Sequence, residues 1–155
     1  MPVDVTVPGG PRLSLGHLLL DVNGTLTVRG VLLPGVAERL DRLRGRLSVR
    51  LLTADTFGTL AAVRSDLAGI PAERISRGAD KAAMVARLGA DGCAAVGNGA
   101  NDAPMLAAAA LGIAILGPEG AAPATLLAAD IVCRSVTDAL DLLLDPRMLA
   151  ATLRG

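Results

Sequence analysis

The 155-residue sequence predicts an α/β fold, a three-layer doubly wound parallel sheet in a single domain. Three observations predict it. Short aliphatic runs recur along the chain and close on turn residues or acids, as buried strands do. Between them lie stretches with apolar residues at helical spacing, so strand and helix alternate almost throughout. Hydrophobic residues make up 52% of the chain but aromatics only 1%, so the core must come from Leu, Val, Ile and Ala.

The elements follow in order. Residues 1–16 hold the alternating Val3-Asp4-Val5-Thr6-Val7, then Pro8-Gly9-Gly10-Pro11. This predicts an N-terminal edge strand and turn, or a hairpin with residues 12–15. His17-Leu18-Leu19-Leu20-Asp21 is the first core strand, and Asp21 sits where it emerges. Residues 25–33 contain the turn pair Arg29-Gly30 and predict a small flap beside Asp21. Pro34-Gly35 opens a helix to about Arg44, with Val36, Leu40 and Leu43 on one face, and Gly45 closes it. Leu47–Leu52 is the second core strand, ending in Thr53-Ala54-Asp55-Thr56. A helix around Thr59–Leu67, a short strand near Arg74–Ser76 and a helix over Asp80–Leu88 come next. Cys93–Val96 is a strand running into the loop Gly97–Asp102. Helix Ala103–Ala110, strand Gly112–Leu116, helix Ala121–Ala128, strand Ile131–Cys133 and helix Val136–Leu144 complete the alternation. Pro146 sets off a last helical turn.

Composition excludes several functions. The formal net charge is zero and no aromatic platform exists, so no nucleic acid partner is expected. The longest uncharged stretch, Ala103–Pro118, is shorter than the roughly 20 residues of a membrane helix and is broken by Pro104, Gly112 and Gly117. No signal pattern follows Met1, so the expectation is a cytoplasmic protein with no membrane partner. Cys93 and Cys133 lie in apolar runs and read as buried thiols in a reducing compartment. The one histidine, His17, opens the first core strand and reads as a structural or surface imidazole rather than a catalytic one.

Polar residues collect at the strand tips. Parallel strands bring their C-terminal ends to one edge, where ligands bind in open α/β sheets. Asp21, Thr53 and the loop Gly97-Asn98-Gly99-Ala100-Asn101-Asp102 therefore share one crevice. An aspartate at a strand tip can be a nucleophile, a metal ligand or a cap, and spacing alone leaves these open. Fourteen of the 15 basic residues are arginine, and the single lysine, Lys81, follows Gly78-Ala79-Asp80 at a helix start. A compact ammonium there suits a phosphate oxygen or an aspartate.

In this order the four pieces resemble the motifs of the haloacid dehalogenase-like (HAD-like) hydrolase superfamily. Asp21-Val22-Asn23-Gly24-Thr25 resembles DxDGT or DxxGT, Thr53 the second-motif hydroxyl, Lys81 the third-motif lysine, and residues 97–102 GDGxND. Within that group the chain is most similar to the phosphorylation domain of P-type ATPases: DVNGTLT against DKTGTLT, and GNGANDAPML against GDGVNDAPAL. No nucleotide-binding insertion separates Thr25 from Thr53, and no cap domain fits the motif spacing. The resemblance implies a Rossmann-like core, as in the small stand-alone P-type ATPase-like phosphatases of prokaryotes. It implies a hydrolase acting on a small phosphorylated molecule through an aspartyl phosphate. By resemblance Asp21, Asn23, Thr53 and Lys81 are catalytic positions. Gly24, Thr25, Thr53, Ala54, Lys81 and Asn101 surround the phosphoryl group. Asp21, Asn23, Asn98 and Asp102 hold Mg²⁺. An uncapped site is open to bulky substrates or closed by another subunit, so the expectation includes a homo-oligomer.

Two residues depart from the motifs. Asn23 stands where phosphatases carry an acid two residues after the nucleophile, and an amide can neither protonate a leaving group nor activate water. The resemblance to P-type ATPases, which lack that acid too, implies a slowly hydrolysed phosphoenzyme. Asn98 stands where GDGxND has its first acid, which predicts weak metal affinity. Both substitutions keep shape and remove charge. The alternative expectation is a catalytically silent or regulatory domain that binds phosphate or metal.

Overall fold

The structure is a computed structural model describing residues 2–55, 58 and 60–155. Met1, Thr56 and Thr59, named above as the chain start, the end of a strand-tip turn and a helix start, lie outside the described residues. The chain opens with β1 (Val3–Thr6) and β2 (Arg12–Leu15), paired antiparallel around the Pro8–Pro11 turn. Val3, Val5, Leu13 and Leu15 face the core while the residues between them face solvent, the two-residue period of a strand. The hairpin pairs within itself and adds no strand to the main sheet.

Next come β3 (His17–Leu20), the flap strands β4 (Thr27–Val28) and β5 (Val31–Leu32), then α1 (Val36–Leu43) and β6 (Ser48–Thr53). They lead to α2 (Leu60–Asp66), β7 (Ala72–Arg74), α3 (Gly78–Leu88) and β8 (Cys93–Gly97). The chain ends with α4 (Ala103–Ala108), β9 (Leu111–Ile115), α5 (Pro123–Ala128), β10 (Ile131–Cys133), α6 (Val136–Leu144) and α7 (Pro146–Leu153).

Among the described residues six strands form a parallel sheet in the order β10-β9-β8-β3-β6-β7. The chain winds from β3 outward to β7, then crosses back to β8 and winds the other way. The winding therefore reverses between β3 and β8, and a crevice opens at such a point beyond the carboxyl ends of the strands.

Both faces of the sheet are covered. Leu18 and Leu20 of β3 pack with Leu40 and Leu43 of α1 and with Val136, Leu140 and Leu143 of α6. On the other face Leu19 packs with Met84 and Val85 of α3 and Met105 and Leu106 of α4. This is the three-layer, doubly wound α/β architecture expected. A strand buried on both faces needs a near-continuous apolar run, which explains the leucines of β3.

Several boundaries shift by one or two residues from the sequence reading, and two of the differences have a clear physical reason. The seventh strand is Ala72–Arg74 rather than 74–76, because pairing already starts at Pro71, whose carbonyl accepts the Leu51 N–H at 2.9 Å. Proline is tolerated at the start of an edge strand, where its missing N–H is not needed. The last helical turn is an eight-residue helix, α7, which buries Leu149 in the core. Its Asp145 N-cap accepts the Arg147 N–H at 3.1 Å.

Candidate active site

Asp21 is the residue after β3, and its N–H still pairs with the Val96 carbonyl of β8 at 3.0 Å. The two strands that flank the winding reversal therefore fix its backbone. Gly97, the last residue of β8, opens the loop that returns Asp102 toward it. Asp102 Oδ2 accepts the N–H groups of Asn98 at 3.0 Å and Gly99 at 2.9 Å. A Cβ at residue 97 would lie 2.5 Å from the Asp102 carboxylate carbon, so the loop closes this tightly only over glycine.

Lys81, on the first turn of α3, reaches both carboxylates. Its Nζ donates to Asp102 Oδ1 at 2.7 Å and to Asp21 Oδ1 at 3.1 Å. Lys81 and Asp102 are 0% exposed and Asp21 is 7% exposed. Two buried carboxyl groups thus share one ammonium, so ionising both leaves one negative charge uncompensated. Burial, then the neighbouring Asp102, push the Asp21 carboxyl up to about 7 against the opposing pull of Lys81. Burial draws the Lys81 ammonium down, but Asp21 and Asp102 outweigh it and hold it above its ordinary value.

Thr25 stands beside this cluster. Its Oγ1 lies 3.4 Å from Asp21 Oδ2 and 3.3 Å from Asn98 Oδ1, one hydroxyl between two acceptors. Gly24 has φ +77°, and a Cβ there would run into the Asn98 amide. Thr53 ends β6, the strand next to β3, and its Oγ1 accepts the Asp55 N–H at 2.9 Å. Ala54 follows it, half-buried. Asn23 makes an isolated backbone bridge with Thr27. The Asn101 amide is engaged elsewhere. Its Nδ2 donates to the Ser76 carbonyl at 2.9 Å and ties the loop to the segment before α3.

The cluster thus unites Asp21, Thr25, Lys81, Asn98 and Asp102. Sequence reasoning passed over two neighbours. Thr125 of α5 is buried with its Oγ1 2.5 Å from the Gly99 carbonyl, and Glu119 accepts the Arg29 N–H of the flap at 3.1 Å. A single hydroxyl in the otherwise apolar residues 121–129 was the available signal for Thr125.

Among the described residues no group of three or more His, Cys, Asp and Glu side chains is placed to hold a metal ion. The donor set nevertheless fits a hard divalent cation. Ionising Asp21 beside Asp102 calls for a second cationic partner, which is why its carboxyl is raised without one, and every available donor is oxygen. Asp102 already accepts three hydrogen bonds, leaving about one of its four lone-pair positions. Asp21 and the Asn98 amide oxygen carry most of the remaining ligating capacity.

No family model matches the chain. Over 60 residues it is 52% identical to an uncharacterized protein of Methanocaldococcus jannaschii, covering 39% of this chain and 64% of that one. Over 95 residues it is 46% identical to a Mycobacterium bovis protein described as cation-transporting ATPase G, covering 59% of this chain and 12% of the ATPase. The chain therefore spans less than two thirds of either relative. Among solved structures, a Streptomyces avermitilis chain described as a HAD family hydrolase superposes with TM-score 0.68 at 20% identity, covering 96% and 97% of the two chains. The 3-deoxy-D-manno-octulosonate 8-phosphate phosphatase of Moraxella catarrhalis, in complex with magnesium, phosphate and KDO, superposes with TM-score 0.63 at 16% identity, covering 88% and 91%. A zinc-transporting PIB-type ATPase in its E2.Pi state gives TM-score 0.62 at 31% identity over 79% of this chain and 20% of that one. The chain thus has the fold of the HAD family hydrolase along nearly its whole length, and it is similar in sequence as well as in structure to part of the P-type ATPases.

Proposed function

We propose that the protein is a Mg²⁺-dependent phosphoryl hydrolase or phosphotransferase acting on a small phosphorylated molecule through an aspartyl phosphate on Asp21. The observation that carries this reading is the buried Asp21–Lys81–Asp102 cluster at the winding reversal of the sheet. An Asp21 oxygen attacks phosphorus as the bond to the leaving oxygen breaks, and that oxygen takes its proton from water. Water then cleaves the acyl phosphate and frees Asp21. Lys81 stabilises charge on the phosphoryl oxygens, while Asp102 holds the ammonium in place. Thr53, Thr25 and the Ala54 N–H complete the phosphate cradle, while the Asn101 amide is spent on the Ser76 carbonyl and the Gly24 N–H on the Thr27 carbonyl, so these two shape the cradle from behind. Asp21, Asn98 and the Asn23 carbonyl would hold Mg²⁺, which would supply the positive charge that lets an anionic nucleophile approach an anionic ester.

Asn23 has no proton to give and none to take, so hydrolysis of the intermediate is slow. Incubation with an activated aryl phosphate and Mg²⁺ tests the reading. The expected result is a burst of aryl alcohol and a trapped phosphoenzyme, both absent in Asp21→Asn. Equal activity in the two proteins would overturn it. The two amides at positions 23 and 98 favour a second reading, a phospho-acceptor or phosphate-binding domain with no turnover. That reading expects beryllofluoride with Mg²⁺ to raise the Tm while no ester is cleaved.

A further inference from the structure

Thr125 is the one polar side chain in residues 121–129, and it is fully buried. Its Oγ1 donates to the Gly99 carbonyl at 2.5 Å. That carbonyl also accepts the Asp102 N–H at 2.9 Å, so it is clamped between α5 and the residue that holds Lys81. The same segment grips the preceding residue twice. The Asn98 carbonyl accepts the Ala122 N–H at 2.9 Å, and Asn98 Nδ2 donates to the Gly120 carbonyl at 3.1 Å. Three hydrogen bonds from residues 120–125 thus fix the bend of the loop that carries Asn98 and Asp102.

The helix itself does not need the hydroxyl. The Thr125 N–H bonds to the Ala122 carbonyl whatever the side chain, and valine has nearly the same shape. A buried hydroxyl is unfavourable unless it is bonded. Its bond goes to the loop, which is where its use lies.

Resting on the phosphoryl-transfer reading, we propose that Thr125 is a positioning residue: its hydroxyl holds the Gly99 carbonyl so that Asn98 is presented to Mg²⁺ and Asp102 to Lys81. Groups that orient a ligand from behind typically change metal affinity about 10–100-fold when removed.

The test compares the full chain with Thr125→Val and Thr125→Ser, with two readouts that need no turnover. One is calorimetric titration with Mg²⁺ alone, and the other is amide hydrogen exchange at Asn98, Gly99 and Asp102. In Thr125→Val the half-saturating Mg²⁺ concentration should rise about tenfold and the Asp102 amide should exchange faster, and Thr125→Ser should restore both. Unchanged exchange overturns the proposal. So does faster exchange with unchanged Mg²⁺ affinity, because the hydroxyl then shapes the loop without reaching the metal. If the native protein takes up no Mg²⁺, the phosphoryl-transfer reading falls, and the exchange comparison alone decides whether Thr125 positions Asp102. Should the valine variant fail to fold, Thr125→Ser against Thr125→Ala isolates the hydroxyl in the same way.

Discussion

Lys81 and Asp102 meet at 2.7 Å with neither side chain exposed to solvent, and the second acceptor of that ammonium is Asp21. A buried ion pair gives little net stability over an apolar replacement, but removing one partner strands the other charge. Lys81→Met leaves two buried carboxylates with no ammonium between them. The expected loss is about 3–5 kcal/mol of unfolding free energy, read as a lowered urea midpoint at pH 7. A midpoint equal to that of the native protein would mean that water reaches the cluster.

The same arrangement fixes how stability depends on pH. Asp21 keeps its proton up to about 7 in the fold, against an ordinary 3.8, because of burial first and the Asp102 charge second. Between about pH 4 and 7 the folded protein holds a proton that the unfolded chain has already released. Stability from this group is therefore fully present below about 4 and is lost as pH rises through about 7. On the proposed function Mg²⁺ would bind the ionised form and should restore stability above pH 7. Urea titrations at pH 5 and 8, with and without Mg²⁺, should show this loss and its recovery in the native protein but not in Asp21→Asn. Equal pH dependence in the two proteins would place the titration elsewhere.

The layers were legible because a strand buried on both faces must be an apolar run, and His17–Leu20 is one. Asp21, Thr53 and the Gly97–Asp102 loop could be brought to one edge because parallel strands share the direction of their tips, whereas Lys81 joined them through its place at a helix start and the motif resemblance. Strand order was not legible, since any permutation keeps the same alternation. Only the pairing of β3 with both β8 and β6 locates the winding reversal. Spacing placed Asn101 in the loop but could not show that its amide is spent on Ser76. Nor could it show that the lone pairs of Asp102 are largely taken. Thr125 was hidden because its partner is a backbone carbonyl, which carries no sequence signature.

Gly24 is required twice, by its φ of +77° and by the Asn98 amide packed where a Cβ would go. Gly24→Ala should lower stability by about 1–3 kcal/mol and push Asn98 away from Thr25. Thermal melts check the first effect and Mg²⁺ titration the second. A variant that melts like the native protein would show that the turn relaxes freely.

Asn98→Asp adds a carboxylate beside Thr25 and Asp21, where the site has one open acid. Without metal the extra negative charge should push the Asp21 carboxyl further up and lower the Tm. With Mg²⁺ it should tighten binding, because a hard cation favours anionic oxygen over an amide. The test is the Mg²⁺ half-saturation of the variant against that of the native protein. Equal values would mean that the residue 98 side chain does not reach the metal.

Asn23→Asp places a titratable group two residues beyond Asp21, the proposed nucleophile. General acid–base catalysis contributes about 10²–10⁴-fold where it operates, so the steady-state rate on an aryl phosphate should rise within that range. The burst should shrink at the same time, because faster dephosphorylation leaves less phosphoenzyme at steady state. These two changes must occur together if Asn23 limits hydrolysis of the intermediate. A faster rate with an undiminished burst would mean that the new acid assists only departure of the leaving group. No change in either would locate the slow step in product release, and residue 23 would then matter through its main chain alone.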